Sequence, residues 1–359
     1  MIKAFFRNPK WRTWAYGGGL FLIASIYIQV QFTVIVNGWY GTFYDMLQNP
    51  AGRDMSEFWY AIAGWNFEWV NWLGFIPLPV PRSFFVIAIP YVILATLTSY
   101  VTRLYAFRWR QAITEDYIPR WRKVEHEIEG ASQRIQEDTQ RFAAIVQGLG
   151  LAVVRATMTL IAFIPILWTL SAQVDLPVIR DIPGSLVWAA LIITVGGMVI
   201  SWFVGYFLPG LEYNNQKVEA AFRKELVYGE DDKVNHGQPE TLFSLFTGIR
   251  INYHRLYLHY GYFDLWANLY GQVTLLTPLI MVGPGMMTGA VTFGVLQQVS
   301  NAYGRVDGAM SIILDNWTVL TELRSIWKRL YEFEQNLDRF DTGHDVGGQQ
   351  DSVSPLPAE

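Results

Sequence analysis

The chain alternates between long apolar runs and long polar stretches. About 20 apolar residues in a helix cross the hydrocarbon core of a bilayer, which is about 30 Å thick. Six runs reach that length, so we expect a multi-pass membrane protein with about six spans. The runs cover approximately residues 14–36, 84–105, 142–170, 186–208, 256–282 and 286–320.

The fifth and sixth runs are more polar than the first four, with Asp264 in the fifth and Asp307 in the sixth. An unpaired charge is costly in hydrocarbon, so helices of this kind are expected to face protein or water. We expect the two aspartates to pair with Arg155 or Arg305, the arginines that lie inside spans.

The polar stretches differ in charge, and this difference predicts the orientation of the chain. Of the 27 Lys and Arg residues, 22 lie before the first span, between the second and third, between the fourth and fifth, or after the sixth. Segments rich in Lys and Arg stay on the cytoplasmic side of the membrane. Both termini are therefore expected in the cytoplasm.

Two of these cytoplasmic stretches, residues 109–142 and 208–232, are rich in helix-forming residues. We expect them to extend the bundle well beyond the membrane as helices. The residues up to 340 would form one transporter domain, and the Gly-, Asp- and Gln-rich tail 341–359 would be disordered.

The outer segment between the first and second spans is rich in tryptophan. Trp and Tyr prefer the headgroup layer of a bilayer, so an interfacial helix is expected over residues 55–73 within a Trp-rich segment 55–82. A re-entrant or spanning pair, or an aromatic platform for carbohydrate, are alternatives. The prolines that would end the helix are Pro77, Pro79 and Pro81.

Composition narrows the function classes. Hydrophobic residues make up 52% and charged residues 16% of the chain, against about a quarter charged in soluble domains. The absence of cysteine excludes disulfides, thiol catalysis and Cys-ligated metals. A net charge of −4 provides no basic field for nucleic acid. His254 and His259 are five residues apart, a poor spacing for a metal on a helix. We expect no metal, no cofactor, no nucleic-acid partner and no enzymatic activity.

Six spans with long cytoplasmic helices are typical of the membrane half of an ABC exporter, an all-α bundle of the type IV-like class. Several segments resemble the SbmA/BacA-like peptide transporter family in order and spacing, over roughly residues 10–337. They are VNGWYGTFYD (36–45), FRWRQA (107–112), IEGASQRIQEDTQRF (128–142), LPGLEYNNQKVEAAFRKELVYGEDD (208–232) and NWTVLTELRSIWKRLYEFE (316–334).

This resemblance implies a homodimeric importer in the bacterial inner membrane that carries peptides and peptide-like antibiotics. It also implies that the proton gradient, rather than ATP, drives transport. Relative to that family pattern, the Trp-rich outer segment is longer.

The energy source can be tested on the residues themselves. An ATPase loop ends in Gly-Lys-Ser/Thr, and no Gly-Lys pair occurs in these 359 residues. We therefore expect no nucleotide-binding domain here and no ATP hydrolysis. A permease subunit served by a separately encoded ATPase is the first alternative, and a membrane enzyme or assembly factor is the second.

Acidic residues on the predicted cytoplasmic helices are the candidates for proton coupling. Glu212 and Glu219 are seven residues apart and share one helix face. Clustered carboxylates disfavour each other's ionisation and can therefore bind protons. The other interpretation is a solvated, ion-paired helix surface. The candidates are Glu137, Glu212, Glu219, Glu129, Asp138 and Glu225.

Aromatic and small residues of the last two spans suggest a path and an interface. Tyr253, Tyr257 and Tyr260 could line a peptide path, although packing is the commoner fate of such residues. Gly285–Gly289 and Gly304–Gly308 have the spacing that permits close helix approach, which favours a dimer seam or a gate. Because acids and aromatics would meet at the inner mouth, cationic and hydrophobic peptides are the expected substrates.

Overall fold

The computed structural model describes residues 1–65, 67–72, 76–124, 128, 130–174 and 182–341. These residues form helices and one two-stranded hairpin, which confirms the predicted helical membrane fold. In chain order the helices are α1 (Ile2–Phe6), α2 (Pro9–Gln48), α3 (Met55–Ala63), α4 (Phe84–Trp121), α5 (Ala131–Ser171), α6 (Ser185–Gly205), α7 (Leu208–Asp231), α8 (Pro239–Met287), α9 (Phe293–Met310), α10 (Ile312–Asp315) and α11 (Trp317–Asp341).

Five of the described helical stretches are long and apolar enough to cross a membrane. They are α2, α4, α5, α6 with its continuation α7, and α8, and they contain the first five predicted spans. At about 1.5 Å per residue, the 49 residues of α8 reach about 73 Å, more than twice the thickness of a hydrocarbon core. The predicted extension of helices beyond the membrane therefore agrees with the helix lengths.

The predicted sixth span, residues 286–320, is not one helix. Helix α8 ends at Met287, and Gly289 follows with φ of 72°, a left-handed conformation that glycine adopts without strain. Helix α9 then begins after Thr292, whose side chain accepts a hydrogen bond from the Val295 amide at 3.4 Å. Because Gly289 lies beyond the end of α8, Gly285 and Gly289 do not share a helix face.

The prediction of one interfacial helix over residues 55–73 is wrong beyond Ala63. Helix α3 ends there, and strands β1 (Phe67–Trp72) and β2 (Ile76–Pro81) pair in an antiparallel hairpin. Pro77, Pro79 and Pro81 are at alternate positions of β2, so their missing N–H donors all lie on one edge of the strand. The opposite edge keeps its donors for pairing, which explains how a proline-rich segment can form this strand.

The two stretches predicted to extend the bundle as helices, residues 109–142 and 208–232, are largely helical, although α4 ends at Trp121 and α5 begins only at Ala131. The left-handed Gly130, with φ of 70°, precedes α5, and α5 includes a wider π-helical turn over Arg134–Asp138. Helix α7 covers the predicted segment from Leu208 to Asp231. The predicted disordered tail lies outside the described residues after Asp341.

The packing of the chain divides it into two compact units. Unit 1 contains residues 1–33, 85–158 and those from 315 onward, and unit 2 contains residues 34–84 and 159–314. In unit 1, the rings of Phe5 and Trp109 stack at 5.4 Å between centroids, and Phe142 packs edge-on against Trp109.

The core of unit 2 is formed by side chains from α5, α6, α8 and α9. Phe163, Ala190, Val282 and Val299 are fully buried members of this core. Its helices are joined mainly by apolar packing, so a polar contact between two of them is an exception within this core.

Candidate functional site

Asp138 is the most buried of the candidate acids. Only 1% of it is exposed, in the π-helical turn of α5 in unit 1. Its Oδ2 accepts hydrogen bonds from Arg134 at 2.9 Å and from Nε of Arg329 at 3.0 Å, and its Oδ1 accepts one from Nη2 of Arg329 at 2.7 Å. Hydrogen bonding to Asp138 raises the pKa of the Arg329 guanidinium, which therefore stays charged. This carboxylate is fixed between two cations.

Glu137, the neighbouring residue, is in a different environment. Its carboxylate is about half exposed and pairs with Arg141 at 2.7 Å, and Arg141 also donates to Glu322 of α11 at 3.1 Å. Exposed ion pairs of this kind contribute little to stability, about 0–1 kcal/mol. Glu137 is thus an acid that water can reach without disrupting the core.

Glu212 and Glu219 lie on α7 in unit 2, and both are partly buried. Neither forms an ion pair with any residue that the structure describes. Among the described residues, the ion pairs expected from the alternative interpretation of a solvated, ion-paired helix surface are therefore not formed at these two glutamates. These two glutamates differ from Asp138 in having no cation to fix their charge.

Glu225 has a local structural contact instead. Its Oε1 accepts a hydrogen bond from the Gly237 amide at 3.0 Å and lies 3.6 Å from Nδ1 of His236. It thereby ties the end of α7 to the turn that leads into α8. In the same turn, hydrogen bonds from Asn235 lower the pKa of Asp232. The remaining candidate, Glu129, lies outside the described residues.

The three candidate tyrosines lie on one face of α8. Tyr253 and Tyr257 contact each other at 5.3 Å between ring centroids, and Tyr257 is 62% exposed. At about 100° per residue, this face continues through exposed polar residues further along the helix and covers about 120° of arc. The members of this polar face are Tyr253, Tyr257, Tyr260, Asp264, Asn268 and Gln272.

The polar face is unusual for a membrane helix. Asp264, Asn268 and Gln272 are at intervals of four residues within the apolar part of α8, and unit 2 leaves all three exposed. The Asn268 amide bonds back to the carbonyl of Asp264 at 2.7 Å, within the same helix. Lipid cannot satisfy such groups, so this face requires water, substrate or another protein surface.

A second polar group joins three helices of unit 2 on the other side of α8. Oδ1 of Asp307, on α9, accepts hydrogen bonds from Thr194 of α6 at 2.7 Å and from Tyr270 of α8 at 3.0 Å. Nearby, Trp266 donates to the Ser201 hydroxyl at 2.9 Å. The predicted pairing of Asp307 with an arginine is wrong, since the side chains that bond to it among the described residues, Thr194 and Tyr270, are both neutral.

Arg155 also has a partner that was not expected. It donates to Gln29 of α2 at 3.0 Å, and Gln29 donates to Thr98 of α4 at 2.8 Å, so three helices of unit 1 are joined by a polar chain. The sequence signal for this contact was Gln29, one of two glutamines, with Gln31, in the first apolar run. No group of metal-ligating side chains is found among the described residues.

The comparison with known families decides the identity. The family profile described as SbmA/BacA-like matches residues 8–338, nearly the whole chain. The chain belongs to the SbmA/BacA-like family. Two segments that resemble this family meet in unit 1, because Asp138 lies in residues 128–142 and its partner Arg329 lies in residues 316–334. The chain is accordingly a helical membrane protein of this family, with an ABC-exporter-like bundle.

Individual relatives are ABC transporter proteins. The inner membrane ABC transporter ATP-binding protein YddA of Escherichia coli is 26% identical over 68% of this chain and 47% of that protein. An uncharacterized ABC transporter ATP-binding protein of Synechocystis is 25% identical, over 92% of this chain and 47% of its own length. The ABC transporter D family member 2 of Arabidopsis thaliana is 24% identical, over 67% of this chain and 35% of its own length. The chain therefore spans half or less of these curated relatives.

Proposed function

We propose that this SbmA/BacA-like protein is a homodimer that imports peptides and peptide-like antibiotics across a bacterial inner membrane, driven by the proton gradient. The observation that carries the proposal is the polar face of α8, which runs through a membrane-spanning helix and is exposed in the single chain. A face of tyrosine hydroxyls, amides and one carboxylate provides contacts for a peptide backbone and for cationic side chains.

The same face supports a dimer. A second copy related by a two-fold axis would enclose the face in a shared path, so that neither copy exposes it to lipid. Gly304 and Gly308, one helical turn apart on α9, have nothing within 4 Å of the position of an added Cβ. A small-residue surface of this kind permits close approach of another helix.

Glu137, Glu212 and Glu219 are the acids that we propose for proton coupling. Glu137 is exposed, and Glu212 and Glu219 have no ion-pair partner among the described residues, so each can gain and lose a proton without breaking a core contact. Asp138 and Glu225 are less suited, since they already make structural contacts with Arg329 and Gly237 respectively.

The test is peptide uptake into proteoliposomes that contain the purified protein, with a pH gradient and no nucleotide. We expect accumulation of a labelled cationic, hydrophobic peptide, weak competition by a matched acidic peptide, and loss of accumulation in the triple variant E137Q/E212Q/E219Q. Glutamine preserves volume and much of the hydrogen bonding but cannot release a proton. Peptide binding by the triple variant should survive, and normal accumulation would contradict coupling through these acids.

A permease served by a separate ATPase is the second candidate. The three relatives described above favour it, because all three are ABC transporter proteins and two are named as ATP-binding. In that case, uptake into proteoliposomes would require added ATP and an ATPase subunit, and a pH gradient alone would drive nothing. A particle mass corresponding only to a monomer, in nanodiscs that still bind peptide, would contradict the dimer.

A further inference from the structure

The strongest unassigned feature is the environment of Asp307 in unit 2. Its position relative to the membrane follows from its partner Thr194, which lies near the middle of α6. Helix α6 has 21 residues, none of them charged, and measures about 31 Å, close to the thickness of a hydrocarbon core. The Asp307 carboxyl group is therefore near the midplane of the bilayer.

The hydrogen bonds to this carboxyl group are asymmetric. Both donors, Thr194 and Tyr270, bond to the same atom, Oδ1. Among the described residues, Oδ2 accepts no hydrogen bond and no arginine or lysine pairs with either oxygen. Two neutral donors on one oxygen support the charged form, while the other oxygen is free to take up a proton.

Unpaired hydroxyl groups surround the site. Tyr303, 3% exposed, is one helical turn before Asp307 on α9, and Thr274 is one turn after Tyr270 on α8. The Tyr303 hydroxyl and Oγ1 of Thr274 are buried without a hydrogen-bond partner among the described residues. A protonated carboxyl group needs an acceptor for its O–H, and these two oxygens, each on a helix of the site, have no other hydrogen-bond partner among the described residues.

The packing that brings Tyr270 to Asp307 depends on a glycine. A Cβ atom at Gly197 of α6 would overlap the Tyr270 ring, so the absence of a side chain at this position lets α8 approach. The site thus consists of the Asp307 carboxyl group, its two hydrogen-bond donors, the two hydroxyl groups without a described partner, and the close contact between Gly197 and the Tyr270 ring.

The other charged groups of the packed helices lie elsewhere. On α9, Arg305 is exposed and about 200° away from Asp307 around the helix. On the membrane part of α8, Asp264 belongs to the opposite, exposed face. Asp45, on α2, accepts a hydrogen bond at 2.8 Å from the amide of Gly294 at the start of α9. Gly294 is about 20 Å along α9 from Asp307.

We propose that Asp307 is an intramembrane proton-binding site, at which Oδ2 takes up a proton and the carboxyl group becomes neutral. Thr194 and Tyr270 are positioning residues that stabilise the ionised form, and Tyr303 and Thr274 accept the hydrogen bond of the protonated form. The reaction is the reversible conversion of a carboxylate and a proton from water into a carboxylic acid. This proposal rests on the proposed proton-driven transport and adds a carrier at the midplane to the exposed acids.

The experiment uses the full chain in proteoliposomes, with a labelled cationic peptide outside and a pH-sensitive dye inside. The wild type should accumulate peptide together with protons. D307N should lose at least tenfold of this accumulation while peptide exchange without a gradient survives. The control is D231N, the same substitution at an exposed aspartate at the C-terminal end of α7, which should stay within twofold of the wild type for proton movement.

A second pair of variants keeps the acid and changes only its donors. T194V and Y270F each remove one hydrogen bond to the ionised form, so the external pH for half-maximal uptake should rise by about one unit. A purely structural role would lower the amount of folded protein without moving this pH. If D307N does not fold, T194V and Y270F still test whether Asp307 binds a proton.

The outcomes separate the two proposals. A wild type that accumulates no peptide under a pH gradient would overturn the proposed function. A wild type that accumulates peptide, with D307N at a normal level or with T194V and Y270F at an unchanged half-maximal pH, would overturn only the role of Asp307. In that case, Glu137, Glu212 and Glu219 would remain the acids proposed for proton coupling.

Discussion

Asp138 in unit 1 and Asp307 in unit 2 are both acids among packed helices, but their partners differ in charge. Asp138 accepts three hydrogen bonds from two arginines and uses both oxygens. Asp307 accepts two bonds from neutral hydroxyl groups and uses one oxygen. Two arginines hold the Asp138 carboxyl group in its ionised form. Two neutral hydroxyl groups place no such constraint on the Asp307 carboxyl group. The same residue type can therefore stabilise one unit and react in the other.

The largest effect is expected from D138N, which leaves Arg134 and Arg329 facing a neutral amide. Removing one member of a buried ion pair costs about 3–5 kcal/mol. We expect about 2–4 kcal/mol here, because the two arginines are partly exposed. Denaturant titration of the purified protein would measure the loss of unfolding free energy. A value below about 1 kcal/mol would mean that the network is not structural.

Sequence alone could predict the membrane bundle because hydropathy adds up over about 20 residues and tolerates small errors. The prediction from hydropathy failed where a few residues determine where a helix ends or whether a segment forms a strand. Gly289 and Thr292 end one helix and begin the next inside a run that hydropathy treats as continuous. Alternating prolines were interpreted as a helix stop, although their spacing also fits the edge of a strand.

The candidate site shows the same limit. The acids and the tyrosine face of α8 could be predicted from spacing within one helix. The partner of Asp138 is 191 residues away in the chain, and that of Asp307 on α6 is 113 residues away. Such pairs depend on which helices become neighbours, and one sequence does not contain that information.

The next largest effect should come from G197A. The added methyl group would overlap the Tyr270 ring, and overpacking of this kind costs about 1–3 kcal/mol. The adjacent Gly196 is the matched control, because nothing lies within 4 Å of its Cβ position. G196A should be neutral or more stable by up to about 1 kcal/mol, as expected for alanine in a helix. Equal effects of the two variants on unfolding free energy would refute the close contact.

A smaller effect is expected in unit 1 from T98V. The substitution removes the acceptor of the Gln29 hydrogen bond while nearly preserving side-chain shape. Hydrogen bonds between membrane helices contribute about 0.5–1.5 kcal/mol, so we expect a loss in this range. T157V is the control, because the one hydrogen bond of the exposed Thr157 hydroxyl within the described part of the chain goes to the Val153 carbonyl of its own helix. The contact between α2 and α4 is doubtful if both variants melt at the same temperature.

The smallest effect on stability should come from E137Q, and this prediction sharpens the comparison between adjacent acids. Glu137 and Asp138 differ by one position in the π-helical turn, yet one pairs with Arg141 at the surface and the other with Arg329 inside. Because water screens the Glu137 pair, its removal should cost about 0–1 kcal/mol. A double-mutant cycle with R141Q would isolate the pair, and we expect a coupling energy within the same range. If E137Q destabilised the protein as much as D138N, both acids would be structural. If it abolished proton-driven uptake at nearly unchanged stability, coupling through an exposed carboxylate would be supported.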